Sequence, residues 1–281
     1  MNRIFFLLLL LPSARALAAC VEVACRLDGK AGVTCERDDT GGSICIVPAH
    51  TSGFDYPQKM AVIIPPGVNE PHRLILFMHG NRGTCPLNGE SALDTAKRWH
   101  LNQQLQDTGA KKSVIIMPMS TGPTTTYDTS LAPRFNQFKT WAEGFIGAKA
   151  GSQWTIAGHS GAGRAIAKIM SRGDSHVDTA LMLDAAYNVD KNRSNWNQVK
   201  GGPAQIFNVY TDGAGTKSNS STLKGLLGGQ LHSSHALALE HCNVPRQDFG
   251  PLLKKAFLDR RAHLYPQLNS PPAHDETESG T

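Results

Sequence analysis

Trp154-Thr-Ile-Ala-Gly158-His-Ser160-Gly-Ala-Gly163 runs a short apolar stretch into a cluster of small residues around one serine. The spacing of Ala162, Ala165, Ile166 and Ile169 then takes over with the period of a helix. Four apolar-leaning residues, Trp154 to Ala157, are too few for a helix and suit a strand buried on both faces. The stretch therefore reads strand, sharp turn, helix, with Ser160 on the turn. That shape has a chemical use. A serine hydroxyl is a poor nucleophile until it is held clear of the sheet, beside a base and near the positive end of a helix. Small residues at 158, 161 and 162 permit so tight a fold. A glycine-rich turn whose serine merely caps the helix would be spelled the same way, so the rest of the chain has to decide.

Outward from this point the pattern repeats. Met60–Ile64, Leu74–Met78, Ser113–Met117, Ala180–Leu183, Gln205–Tyr210 and Ala236–Leu239 are further short apolar runs of strand length. Between them lie helical spacings. Ser91-Ala-Leu-Asp94 has the form of a capping box before Ala92, Ala96 and Trp99, and Phe138, Trp141, Ala142 and Phe145 share another helical face. Alternating strands and helices imply an α/β fold with a mainly parallel sheet sandwiched by helices. Such sheets place their chemistry at the carboxyl ends of the strands. The chain of 281 residues, 40% hydrophobic and 18% charged, has the composition of one folded domain, not of a disordered or fibrous chain. Its net charge of +5 comes with the basic pairs Lys111/Lys112, Lys254/Lys255 and Arg260/Arg261 scattered along it. No basic stripe forms, so nucleic acid is not an expected partner.

The strand, the G-x-S-x-A turn and the helix together resemble the nucleophile elbow of the α/β-hydrolase family, with Ala162 where the commoner form has glycine. The resemblance covers roughly residues 58–260. It implies a triad in the chain order Ser, acid, His, and an oxyanion hole made by the N–H after the serine and one from the loop after an early strand. On that basis Ser160 is the nucleophile and the Gly161 N–H one donor. His79-Gly80-Asn81, at the end of Leu74–Met78, is similar to the family's oxyanion loop, so the N–H of Gly80 or Asn81 is the second donor and the His79 side chain is structural. Among the late histidines 232, 235, 241, 263 and 274, His241 follows the apolar run Ala236–Leu239 and is assigned the base, with His235 next. Two aspartates compete for the acid. Asp212 occupies the position most family members use, within a Thr-Asp-Gly turn sequence. Asp184 ends a fully apolar strand, where a carboxylate has little reason to exist unless something binds it. Asp184 is the choice and Asp212 the alternative. His232 and His235, three apart, lack a third ligand at metal-binding spacing. The triad performs its own proton transfers, so neither metal nor cofactor is implied. Tyr187, Trp196 and Arg82 are candidate rim residues.

The ends of the chain carry separate signals. Arg3, the apolar stretch Ile4–Leu11 and Ala16-Leu-Ala18 have the layout of a cleaved signal peptide over residues 1–18. The apolar stretch is too short to span a bilayer. Leu17-Ala-Ala-Cys20 also resembles a lipobox, which would anchor the chain by acylating Cys20. Simple cleavage leaves six cysteines, at 20, 25, 35, 45, 85 and 242, enough for three disulfides in an oxidising compartment. Cys85 and Cys242 fall near the same rim and are expected to pair, leaving the four early cysteines to pair among themselves. The expected organisation is a Cys-rich segment 19–57, a hydrolase domain 58–264 and a disordered tail 265–281. The signal peptide implies export to a periplasm or the outside, and the resemblance implies a serine hydrolase that cleaves small or polymeric carboxylic esters through an acyl-enzyme, like polyester-depolymerase-like or feruloyl-type esterases. The same triad would serve an amidase or peptidase, and a chemically inactive binding protein could share the fold.

Overall fold

The structure, a computed structural model, describes residues 22–264 apart from 82–84, 86–89, 121–124, 214 and 237–238; side chains are described as far as 258. Its strands are β1 (Thr34–Arg37), β2 (Ser43–Val47), β3 (Met60–Ile64), β4 (Arg73–Met78), β5 (Ser113–Pro118), β6 (Gln153–His159), β7 (Val177–Leu183), β8 (Gln205–Tyr210) and β9 (Leu231–His235). The helices are α1 (Val23–Asp28), α2 (Ala92–Arg98), α3 (Leu101–Asp107), α4 (Tyr127–Ser130), α5 (Phe135–Ile146), α6 (Gly163–Met170), α7 (Arg193–Val199), α8 (Thr216–Leu227) and α9 (Val244–Leu264). All nine strands join one sheet in the order β1-β2-β3-β5-β4-β6-β7-β8-β9. From β5 to β9 every pairing is parallel; β1, β2 and β3 run antiparallel to their neighbours.

The central strands are buried end to end, as their unbroken apolar sequences require. Alternate side chains feed two separate cores. Met60, Val62, Leu74 and Leu76 pack with Leu27 of α1, Phe138 of α5, Ile166 of α6 and Leu223 of α8. Ala61, Ile63, Ile75 and Phe77 pack with Ala96 of α2, Leu105 of α3 and Leu253 of α9. Each fully buried large aliphatic or aromatic side chain contributes about 1.5–3 kcal/mol relative to exposure, so the two layers fix the direction of every strand end. The capping box is present at α2: Ser91 Oγ accepts from the Asp94 N–H at 3.1 Å, and the Asp94 carboxylate accepts from the Ser91 N–H.

Three sequence expectations change here. Ala236 and Leu239, the described residues of the expected strand 236–239, lie in no strand. The last strand is the polar Leu-His-Ser-Ser-His stretch of β9, which lies at the sheet edge and therefore needs a neighbour on one side only. Ala236 and Leu239 instead pack against the core that α9 covers. Trp196 is 2% exposed and belongs to the core beside α6 and α7, not to a rim. The Cys-rich segment supplies β1 and β2 to the main sheet, and Cys35 and Cys45, paired directly across those strands, form a disulfide. Cys25 is disulfide-bonded too. Cys20, the expected signal peptide, Arg82 and the tail 265–281 lie outside the described residues.

Candidate active site

Ser160 follows β6 directly and has φ of +53°, a left-handed conformation that a non-glycine residue adopts at a cost of about 1–3 kcal/mol unless its surroundings impose it. Here they do. The chain leaves a buried strand and must enter α6 within three residues. Gly163, at the start of α6, lies so close to the Ala185 carbonyl that a Cβ would overlap its oxygen. The turn therefore cannot relax outward, and Ser160 is left 6% exposed at the carboxyl end of the central strand.

On the neighbouring strand, β7 ends and Asp184 turns with φ of +49°, completely buried. Its Oδ2 lies 2.6 Å from His241 Nδ1 and accepts the Thr211 hydroxyl at 2.8 Å, while its Oδ1 accepts the Thr211 N–H at 2.9 Å. Burial works against a charge at Asp184, but the hydrogen bonds from His241, Thr216 and Thr211 outweigh it and hold the carboxyl below its usual range. A carboxylate only accepts, so His241 Nδ1 carries the proton and Nε2 presents a lone pair. That Nε2 is buried and has no hydrogen-bond partner among the described residues. His241 itself opens a short turn, His241–Asn243, leading into α9.

Tyr187 flanks the base. Its ring stands edge-on to His241 with centroids 5.9 Å apart. Burial, reinforced by the Asp184 charge, pushes the phenol up to about 12, so it stays protonated.

Gly80 closes the third side. A Cβ there would lie 2.8 Å from Ser160 Cβ and 2.5 Å from His159 Nδ1, so only glycine lets this backbone approach the serine. His79 anchors the loop: Nδ1 donates to the Gly80 carbonyl at 2.6 Å and Nε2 accepts the Ser120 N–H at 3.0 Å. Gly161 packs against Thr125, and Asn81 accepts the Cys85 N–H at 3.4 Å.

No protein-family model and no curated protein matches the sequence. Solved structures do match by shape. A thermostable esterase from Pseudomonas putida is 13% identical, with 84% of this chain and 86% of that chain covered and a TM-score of 0.52. An S-formylglutathione hydrolase from Agrobacterium tumefaciens is 12% identical, covering 82% and 98%, with a TM-score of 0.51. A poly(3-hydroxybutyrate) depolymerase from Bordetella parapertussis is 11% identical, covering 85% and 94%, with a TM-score of 0.50. The chain has the α/β-hydrolase fold.

Within this hydrolase fold the two candidate acids occupy different surroundings. Asp212 is exposed and pairs with Lys217 Nζ at 2.9 Å and His235 Nε2 at 3.1 Å; the Lys217 hydrogen bond is the main reason its carboxyl lies below the usual range. His235 stacks on Tyr210 and His232 on Phe207. On a strand, residues three apart face opposite sides, so His232 and His235 cannot share an ion. Cys85, His159 and His241 bring donor atoms within 4.8 Å of one another, but Cys85 is disulfide-bonded to Cys242 and offers no thiolate. The disulfide ties the residue after His241 to the segment after the Gly80 loop.

The sequence reading missed Thr211 and the contacts of Tyr187 and His159. Thr211 directly precedes Asp212 and had been absorbed into its turn. His159 carried a signal: an imidazole at the end of an apolar strand, where nothing polar is expected without a partner.

Proposed function

We propose that the protein is a serine hydrolase that cleaves carboxylic esters through an acyl-enzyme. The observation that carries the reading is the His241 ring, fixed by Asp184 at 2.6 Å through one nitrogen and bare at the other, 4.5 Å from the ring of His159, the residue that precedes Ser160 in its strained turn. Rotation of the Ser160 hydroxyl toward His241 Nε2 prepares the attack. Ser160 Oγ then bonds to the ester carbonyl carbon as its proton passes to Nε2. The carbonyl oxygen takes the negative charge, which the N–H groups of Gly161 and of Gly80 or Asn81 are assigned to stabilise. The tetrahedral species expels the alcohol oxygen, which takes the proton back from His241. Water repeats the sequence on the acyl-serine and releases the acid. Asp184, ionised throughout, keeps the ring in the required tautomer and stabilises its cation.

Ester substrates are supported by the names of the similarly folded proteins, an esterase, an S-formylglutathione hydrolase and a poly(3-hydroxybutyrate) depolymerase. An exported location fits the disulfides Cys35–Cys45 and Cys85–Cys242, which persist in oxidising compartments. Cleavage after residue 18 is the proposed route, with acylation at Cys20 as the anchored variant. A fluorophosphonate probe tests the chemistry: labelling of the wild type that disappears in Ser160→Ala is expected, and an unlabelled wild type would refute it. A panel of short-chain, aromatic and polymeric esters beside amides then reads the substrate class.

A further inference from the structure

His159 is the last residue of β6 and is completely buried, in a position where a phenylalanine would fill the same space without a desolvation cost. Its Nε2 lies 3.0 Å from the His241 carbonyl oxygen. A carbonyl only accepts, so Nε2 carries the hydrogen and donates. The ring lies 4.5 Å from the His241 ring at 32°, with the edge of Trp99 behind it at 5.9 Å. Its other nitrogen, Nδ1, is buried with no hydrogen-bond partner among the described residues, and the Gly80 backbone presses against it. One imidazole thus touches the loop of the base and the loop of the second oxyanion donor, and belongs to the residue that precedes the nucleophile in the chain. From this arrangement we infer that His159 is a positioning residue, whose Nε2–H sets the His241 backbone at its working height above Ser160.

The inference rests on the hydrolase reading of the site. Burial first, and the neighbouring His241 second, bring the His159 pKa down to about 3, so the ring stays neutral where a hydrolase of this type works. A neutral neighbour adds no repulsion when His241 becomes a cation during attack. The disulfide at Cys242 holds the same loop from the side. His159 holds it from beneath, by a directional bond that an apolar side chain cannot replace.

The full-length protein provides the test. In glutamine the amide nitrogen falls near the position of histidine Nε2, so His159→Gln is expected to keep kcat within about threefold of wild type. His159→Phe and the more adaptable His159→Met should lose kcat by about 30- to 100-fold with KM within about twofold, because ångström-scale misplacement of a catalytic group costs rate more than binding. Equal rates for phenylalanine and wild type, or a glutamine variant as slow as phenylalanine, would overturn the proposal. Nitrogen-15 spectra of the wild-type histidines give a readout independent of turnover. They should show one ring as a neutral Nε2–H tautomer at about pH 5, and assignment of His159 as a cation or as the Nδ1–H form there would overturn it. An inactive, unlabelled wild type with the expected spectrum would instead count against the hydrolase reading alone.

Discussion

Acid should destabilise this protein well above the pH at which its carboxylates protonate, and His159 supplies the reason. The groups facing it are His241, Asp184 and His79, and burial dominates. In the folded chain the ring protonates only at about 3, against 6.5 for an ordinary histidine. Between those values the unfolded chain binds the proton and the folded chain does not, so stability falls as pH falls, by about 1.4 kcal/mol per pH unit. From about pH 6.5 to about pH 4.5 the loss from this group is about 2 kcal/mol, a sizeable share of the 5–15 kcal/mol that stabilises a typical domain. Asp184, with its lowered pKa, contributes with the same sign but only as pH drops further toward the carboxylate range. Urea unfolding followed by tryptophan fluorescence at several pH values in this window measures the slope. In His159→Gln nothing titrates at this position, so its slope should be shallower by close to one proton. Parallel slopes for the two proteins would refute the reasoning.

Other substitutions separate the remaining roles. Asp184→Asn should reduce kcat by about 10³- to 10⁴-fold because the ring loses its tautomer control, whereas Asp212→Asn, on an exposed pair with Lys217, should stay within about twofold of wild type in the same ester assay. Gly80→Ala drives a methyl to 2.8 Å from Ser160 Cβ, and kcat should fall by at least about tenfold, with a melting temperature lowered by an overpacking cost of about 1–3 kcal/mol. Replacing both Cys85 and Cys242 by serine opens a link across 157 residues, which chain entropy values at about 5 kcal/mol, measurable as a lower denaturation midpoint.

The sequence made the sheet legible where strands are buried on both faces, because Met60–Ile64 and Leu74–Met78 have no polar residue to mislead. It was misleading at the edges. β9 is polar because one flank meets solvent, and β1 and β2 read as a cysteine-rich stretch because their pairing depends on partners distant in the chain. His241 was chosen because it follows an apolar run whose described residues, Ala236 and Leu239, lie in no strand; what places it beside Asp184 is the turn before α9. Asp184 was legible for a sounder reason, since a carboxylate ending an apolar strand implies binding partners, and it accepts three hydrogen bonds from Thr211 and His241. Contacts such as that of His159 with the His241 carbonyl join main chain to side chain across 82 positions, and periodicity carries no trace of them.

The long-range disulfide also constrains how the molecule is made. A chain emerging from its amino end presents Cys85 to the oxidant while Cys242 is still 157 residues behind, and at that moment the thiols within reach are those of the early cysteines. Premature pairing with any of them would have to be undone by exchange before the last helix could dock. Maturation in cells should accordingly depend on a thiol isomerase, and the slow step in acquiring activity should be the arrival of the carboxyl-terminal quarter of the polypeptide, not the formation of the serine turn.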